Sequence, residues 1–328
     1  MNTNSRTIEL PTDSLSEEIR ACWRALPDKG LFFGLFVIWL LLFQFLGNSS
    51  LGYVRTPSLF QWMFVAYNKE SLISDDAHGN LIPFLVLGLL WWRRKELLSQ
   101  PLRTWWPGLL LVGLGLLAHT LGFIVQQPRL SIVGLFTGIY GLTGMVWGPR
   151  WLYATFFPYF LFAFMVPLGS LTESITFPLR IMVSWIVEHL FNTVLGIGVI
   201  RQGTALLNAL GTYQYEVAAA CSGMRSLISI FLVAVSYAFL VFQSPWKRAA
   251  MIAASLPLAV IGNVVRLGTI VAAGEWKGQS AGNYVHESAF FSMLPYVPAF
   301  IGMMYVGQWL EKAGTARQTP TVEEAKAA

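Results

Sequence analysis

Charge is scarce in this 328-residue chain: Asp, Glu, Lys and Arg together make up 12% of it, against 55% hydrophobic residues. With a mean hydropathy of +0.56, that balance excludes an ordinary soluble domain, because such a surface needs lipid as its solvent. Cysteine is nearly absent, and of Cys22 and Cys221 the first falls in a polar N-terminal segment, so no disulfide framework is expected. Histidine is also sparse, and the four present show no paired ligand spacing, so neither a metal nor another cofactor is expected. There is no Gly-x-Ser-x-Gly and no His-Glu-x-x-His, which removes two common hydrolase plans. Residues 1–30 do not read as a signal peptide: Asp13, Glu17 and Glu18 make the leader too polar and too long, and no small-residue cleavage site follows.

What the chain does have is long apolar runs. At roughly 20 residues per crossing, spans are predicted near 31–47, 80–92, 107–125, 130–148, 151–168, 222–243, 249–273 and 288–310, with 57–67 interfacial. The expected fold class is therefore all-α, a polytopic bundle of about eight transmembrane helices. The net charge of +5 sits in the short connections between runs, where it sets topology, so nucleic-acid binding is excluded. With the N-terminus in the cytoplasm, fourteen of the 22 Lys and Arg residues fall on the cytoplasmic side and six on the other, leaving Arg225 and Arg266 inside spans. Both termini are then cytoplasmic. The predicted organisation is a cytoplasmic segment over 1–30, a transmembrane domain over 31–310 and a disordered cytoplasmic tail over 311–328.

The connection 169–221 is too long for a turn. Its stretch 174–195 is amphipathic, with Trp185, Ile186, Leu190 and Phe191, and 196–213 is glycine-rich, so an interfacial helix followed by a short hairpin is predicted on the outer side. That helix reads either as a lid or substrate platform or as a packing element under the bundle. Glu173, Glu188 and Glu216 are outward carboxylates that face water or grip a polar segment of a substrate. His119 and His189 read as packing or interfacial residues.

Chemistry concentrates at three positions. Cys221 stands in Ala-Ala-Ala-Cys221-Ser222-Gly223-Met224-Arg225, where an apolar helix begins. A helix N-terminus and a nearby cation both stabilise a thiolate, Ser222 can cap the helix, and Arg225 at i+4 shares the face of Cys221. Arg266 lies 17 residues beyond Ala249, a rise of ~26 Å at ~1.5 Å per residue, which brings it to the outer end of its span with Asn263 at i−3 on the same face. An intramembrane arginine needs a partner and marks a polar cavity. There it can stabilise an oxyanion or hold the thiolate. His286, in a predicted loop over 283–287, falls on the same outer side and titrates in the range that acid/base work requires. The rival reading is a transporter or exopolysaccharide-export subunit in which Arg225 and Arg266 line an anion path.

At these residues the sequence resembles the exosortase/archaeosortase family of membrane cysteine transpeptidases. The resemblance rests on Glu216-Val-Ala-Ala-Ala-Cys221-Ser-Gly-Met-Arg225-Ser-Leu, on Asn263-Val-Val-Arg266, and on His286 ahead of the final helix. A weaker echo is Asp76-Ala-His78-Gly79-Asn80-Leu-Ile-Pro83 leading into Trp91-Trp92-Arg93-Arg94. The resemblance implies Cys221 as nucleophile, Arg266 as electrostatic stabiliser and His286 as acid/base, with Arg225, Asn263, Ser222 and Glu216 in supporting or substrate-binding roles. It implies as partner the C-terminal sorting-signal segment of an exported protein: a short motif such as Pro-Glu-Pro, a transmembrane helix and a basic tail. It also implies cleavage at the periplasmic face of a bacterial inner membrane, the acceptor being undefined.

Overall fold

A computed structural model describes residues 14–68, 76–168, 171–216 and 224–315. The chain is an all-α membrane bundle that divides into two compact units, Met1–Pro167 and Leu168–Ala328.

In the first unit, α1 (Leu15–Ala25) is amphipathic and capped by Ser14, whose hydroxyl accepts from the Glu17 amide at 3.2 Å. Left-handed backbone at Asp28 then turns the chain, so that α2 (Lys29–Phe45) stands at 93° to α1. After α3 (Leu59–Asn68) come α4 (Ile82–Trp92) and the short α5 (Arg94–Leu98), which Arg94 ties to α1 through a 2.6 Å ion pair with Glu18. Helices α6 (Gly108–Ile124) and α7 (Pro128–Trp147) pack backbone to backbone: a Cβ on Gly115 would come within 2.8 Å of the Gly134 carbonyl. Small residues let helices approach this closely where lipid offers no hydrophobic drive to association. The unit ends with α8 (Pro149–Phe160), which tightens after Pro158 into a 3-10 turn over Leu161–Met165.

The second unit opens with α9 (Leu171–His189), which widens into a π turn over Leu190–Leu195 and feeds a three-stranded antiparallel meander. Its strands are β1 (Val199–Gln202), β2 (Ala205–Asn208) and β3 (Gln214–Glu216), paired in the order β1-β2-β3. The predicted hairpin is thus present with one strand more. Side chains close its outer edges. Asn192 pairs with both backbone groups of Val199 at 2.9 and 2.8 Å, and Glu188 accepts from the Arg201 amide at 3.1 Å. On the other edge Gln279 pairs with both backbone groups of Gln214 at 2.7 and 3.1 Å. Glu188 also accepts from Arg201 Nε at 3.0 Å, so it is engaged by protein rather than turned to water.

Behind the sheet, α10 (Met224–Val241) and α11 (Pro245–Lys277) run as neighbours, followed by α12 (Gln279–Glu287), α13 (Ala289–Ser292) and α14 (Tyr296–Thr315). One buried cluster joins the sheet to α9, α11 and α12 through Val187, Leu206, Tyr213, Tyr215, Val271 and Val285. Another joins α10, α11 and α14 through Ile230, Ala234, Met251, Ala259, Ala299 and Leu310.

Among the described residues, three stretches are long and apolar enough to cross a membrane: Pro128–Trp147, Pro245–Lys277 and Phe290–Ala313. The bent pair α1 and α2 makes a fourth if it is counted as one span, and Ile82–Trp92, Gly108–Ile124 and Ser226–Val241 are shorter apolar helices. The expected count of about eight therefore runs ahead of the helices. The run 151–168, for instance, is interrupted at Phe160, where its α-helix gives way to the 3-10 turn.

Candidate active site

Strand β3 ends at Glu216, and α10 begins at Met224. Cys221 and Ser222 lie outside the described residues, as do the side chains of Glu216 and Arg225. The backbone of Arg225 occupies the first turn of α10. The described part of the candidate site accordingly consists of residues on α10, α11 and α12.

One turn into α10, Ser226 is 4% exposed and its hydroxyl donates to Oδ1 of Asn263 at 3.0 Å. Asn263 is itself 8% exposed on α11. The bond fixes the start of α10 against the part of α11 that carries Arg266 one turn later. Polar side chains inside apolar helices are costly unless paired, and here each supplies what the other needs. Arg266 is half-buried, and its Nε is enclosed with no hydrogen-bond partner among the described residues. A guanidinium held this way keeps a donor available in a low-dielectric setting, where such a donor acts most strongly on a developing anion.

His286 is not in a loop, as its sequence setting predicts, but in the last turn of α12. The break falls earlier, at Gly278, whose φ of +78 ends α11 and restarts the chain as α12. His286 is half-buried, and its imidazole is held below the ordinary value of 6.5, first by burial and then by the Arg266 guanidinium, with Glu287 opposing. The structure therefore brings Arg266 and His286 into electrostatic contact from two different helices. A neutral imidazole beside a fixed cation is in the protonation state that accepts a proton.

Tyr215 of β3 and Tyr213 just before the strand brace this corner. Tyr213, 2% exposed, donates to Oε1 of Glu275 on α11 at 2.8 Å, and its ring stacks on Tyr215 at 5.1 Å. Tyr215 donates to the Gln279 carbonyl at 3.1 Å. These contacts, like Ser226, escape a sequence reading; the available signal was the Tyr213-x-Tyr215 alternation, which marks one face of a strand. His119 and His189 make packing contacts. His119 is buried, with Nδ1 3.2 Å from the Ser131 hydroxyl, and His189 lies with Nδ1 3.2 Å from the Trp185 carbonyl.

A family model described as transmembrane exosortase matches residues 71–305. The chain belongs to the transmembrane exosortase family. That span takes in the Cys221 segment, Asn263, Arg266 and His286, and it reaches back to the Asp76-Ala-His78 stretch. In this exosortase His78 has a fold-building contact, Nε2 lying 3.0 Å from the Phe164 carbonyl. No curated protein matches the chain, and no solved structure does.

Proposed function

We propose that this multi-pass exosortase is a cysteine peptidase or transpeptidase that cleaves C-terminal sorting signals through a thioester on Cys221. The observation that carries the reading is the pairing of Arg266, whose buried Nε has no hydrogen-bond partner among the described residues, with His286, whose imidazole pKa is lowered by burial and by that guanidinium, within a region matched to the exosortase family.

The proposed steps use the same groups in both half-reactions. His286, neutral at rest, takes the proton of the Cys221 thiol, and the thiolate attacks the carbonyl carbon of the scissile peptide; a C–S bond forms and the oxyanion gathers charge that Arg266 stabilises. Collapse breaks the C–N bond, and the protonated imidazole of His286 gives its proton to the departing amine. Water or an acceptor amine then attacks the thioester, His286 takes the proton from it, and rupture of the C–S bond restores the thiolate. Arg225, Ser222, Asn263 and Glu216 support the nucleophile segment or the substrate.

The preferred substrate is an exported protein ending in a motif of the Pro-Glu-Pro kind, a transmembrane helix and a basic tail. Such a protein presents its motif just outside the bilayer. The lysine and arginine bias supports a site on the periplasmic side of a bacterial inner membrane with both termini cytoplasmic. The test is processing of a co-expressed protein carrying such a signal. Cys221→Ala and Cys221→Ser abolish processing, and Arg266→Lys impairs it because a compact ammonium does not reproduce a planar fork of donors. Unaltered processing by Cys221→Ala rejects the reading.

A further inference from the structure

The joint between α11 and α12 consists of one residue, Gly278. With no side chain to restrict it, glycine makes a soft joint, so the angle between the helix carrying Arg266 and the helix carrying His286 needs a brace from outside. Tyr215 occupies the inner side of that corner. A Cβ on Gly274 of α11 would come within 2.7 Å of the Tyr215 ring and hydroxyl, and a Cβ on Gly282 of α12 would overlap the hydroxyl outright. The ring thus fills a slot that only glycine on both helices leaves open.

We propose that Tyr215 is a positioning residue, wedged between Gly274 and Gly282, that sets where His286 stands relative to Arg266. The inference rests on the reading of those two residues as a working pair. On α12, Gln279, Gly282 and His286 follow at i, i+3 and i+7, so the face that meets Tyr215 is the face that carries His286. Two residues of β3 and the residue before it hold the corner: Tyr213 through Glu275, Gln214 through the side chain of Gln279, and Tyr215 through the Gln279 carbonyl. In sequence Cys221 follows five residues after the last residue of β3, so one strand both fixes the pair and leads to the proposed nucleophile.

Among the described residues, Arg266 from α11 lowers the His286 pKa and Glu287 from its own helix raises it. Moving α12 away from α11 weakens the repulsion by Arg266 and admits water, and both changes raise the imidazole pKa. The experiment follows diethyl pyrocarbonate modification of His286 against pH in the purified full-length protein, resolved by peptide mass spectrometry. In Tyr215→Ala and Gly282→Ala the midpoint moves up by at least about half a pH unit, whereas Tyr215→Phe, which keeps the ring but loses the hydroxyl and its bond to the Gln279 carbonyl, shifts it less. Should Gly282→Ala fail to accumulate, Tyr215→Leu reads the same question. A purely structural role lowers thermal stability and leaves the midpoint unmoved; an unchanged midpoint in folded Tyr215→Ala and Gly282→Ala overturns the proposal. Processing by Cys221→Ala is scored separately, so that failure of the thioester mechanism is told apart from failure of the wedge.

Discussion

The Ser226 hydroxyl and Oδ1 of Asn263 lie 3.0 Å apart in the interior, where α10 meets α11. Interhelical hydrogen bonds in membrane bundles contribute about 0.6 to 1.7 kcal/mol each. A double-mutant cycle of Ser226→Ala and Asn263→Ala, read by denaturant or detergent unfolding, is expected to give a coupling energy in that range. Because the bond anchors the first turn after the Cys221 segment, Ser226→Ala is also expected to slow alkylation or processing at Cys221. A coupling near zero would mean that apolar packing alone sets the register of the two helices.

The depressed pKa of His286 sets a sign for pH dependence. Its folded value lies below the ordinary 6.5, so the unfolded chain binds the proton more readily. The stability this group contributes is present above about pH 6.5 and is lost as the pH falls toward the folded pKa. Arg266→Ala removes one of the two causes of the depression, and the His286 titration midpoint moves up in that variant. Nuclear magnetic resonance of selectively labelled histidine checks both statements.

Tyr213→Phe removes the donor that the Glu275 carboxylate receives at 2.8 Å in a partly enclosed site. Leaving a charged acceptor without its donor costs about 1 to 3 kcal/mol. Glu275→Gln keeps a neutral acceptor for the Tyr213 hydroxyl and is expected to cost less. The ordering of the two variants in thermal unfolding is the measurement; equal losses would show that ring packing, rather than the hydrogen bond, holds Tyr213.

Gly138→Ala tests the packing of the first unit. A Cβ there would overlap the ring of Trp39, which is locked in place by a 3.0 Å hydrogen bond from its indole nitrogen to the Leu135 carbonyl. Overpacking of this kind costs about 1 to 3 kcal/mol. Gly113→Ala, at a position with open space around it, is the control and is expected to be silent or mildly stabilising.

The chemical residues were more legible in the sequence than the elements that carry them. Arg266 and Asn263 stand out because an apolar run makes any polar side chain conspicuous, and their i, i+3 spacing already gives a shared face. Ser226 does not stand out, since a serine near the end of a run is as easily a solvated residue as a buried donor. The sequence places His286 in a loop because it stands between two apolar runs. In the fold Gly282 serves close packing against Tyr215, and the break is carried by Gly278. A third strand of three residues is too short for a period-2 pattern to announce it. Hydropathy counts apolar residues without registering where a proline ends the regular ladder, which is how the run 151–168 came to look like a complete crossing.

Proteins confined to a bilayer meet their own copies far more often than proteins in solution, and a small sheet with bare rims would stitch such neighbours into arrays. In this chain the amides and carbonyls of Val199 and Gln214 and the amide of Arg201 are already satisfied by Asn192, Gln279 and Glu188. At those positions the sheet has no backbone group left to offer a passing strand.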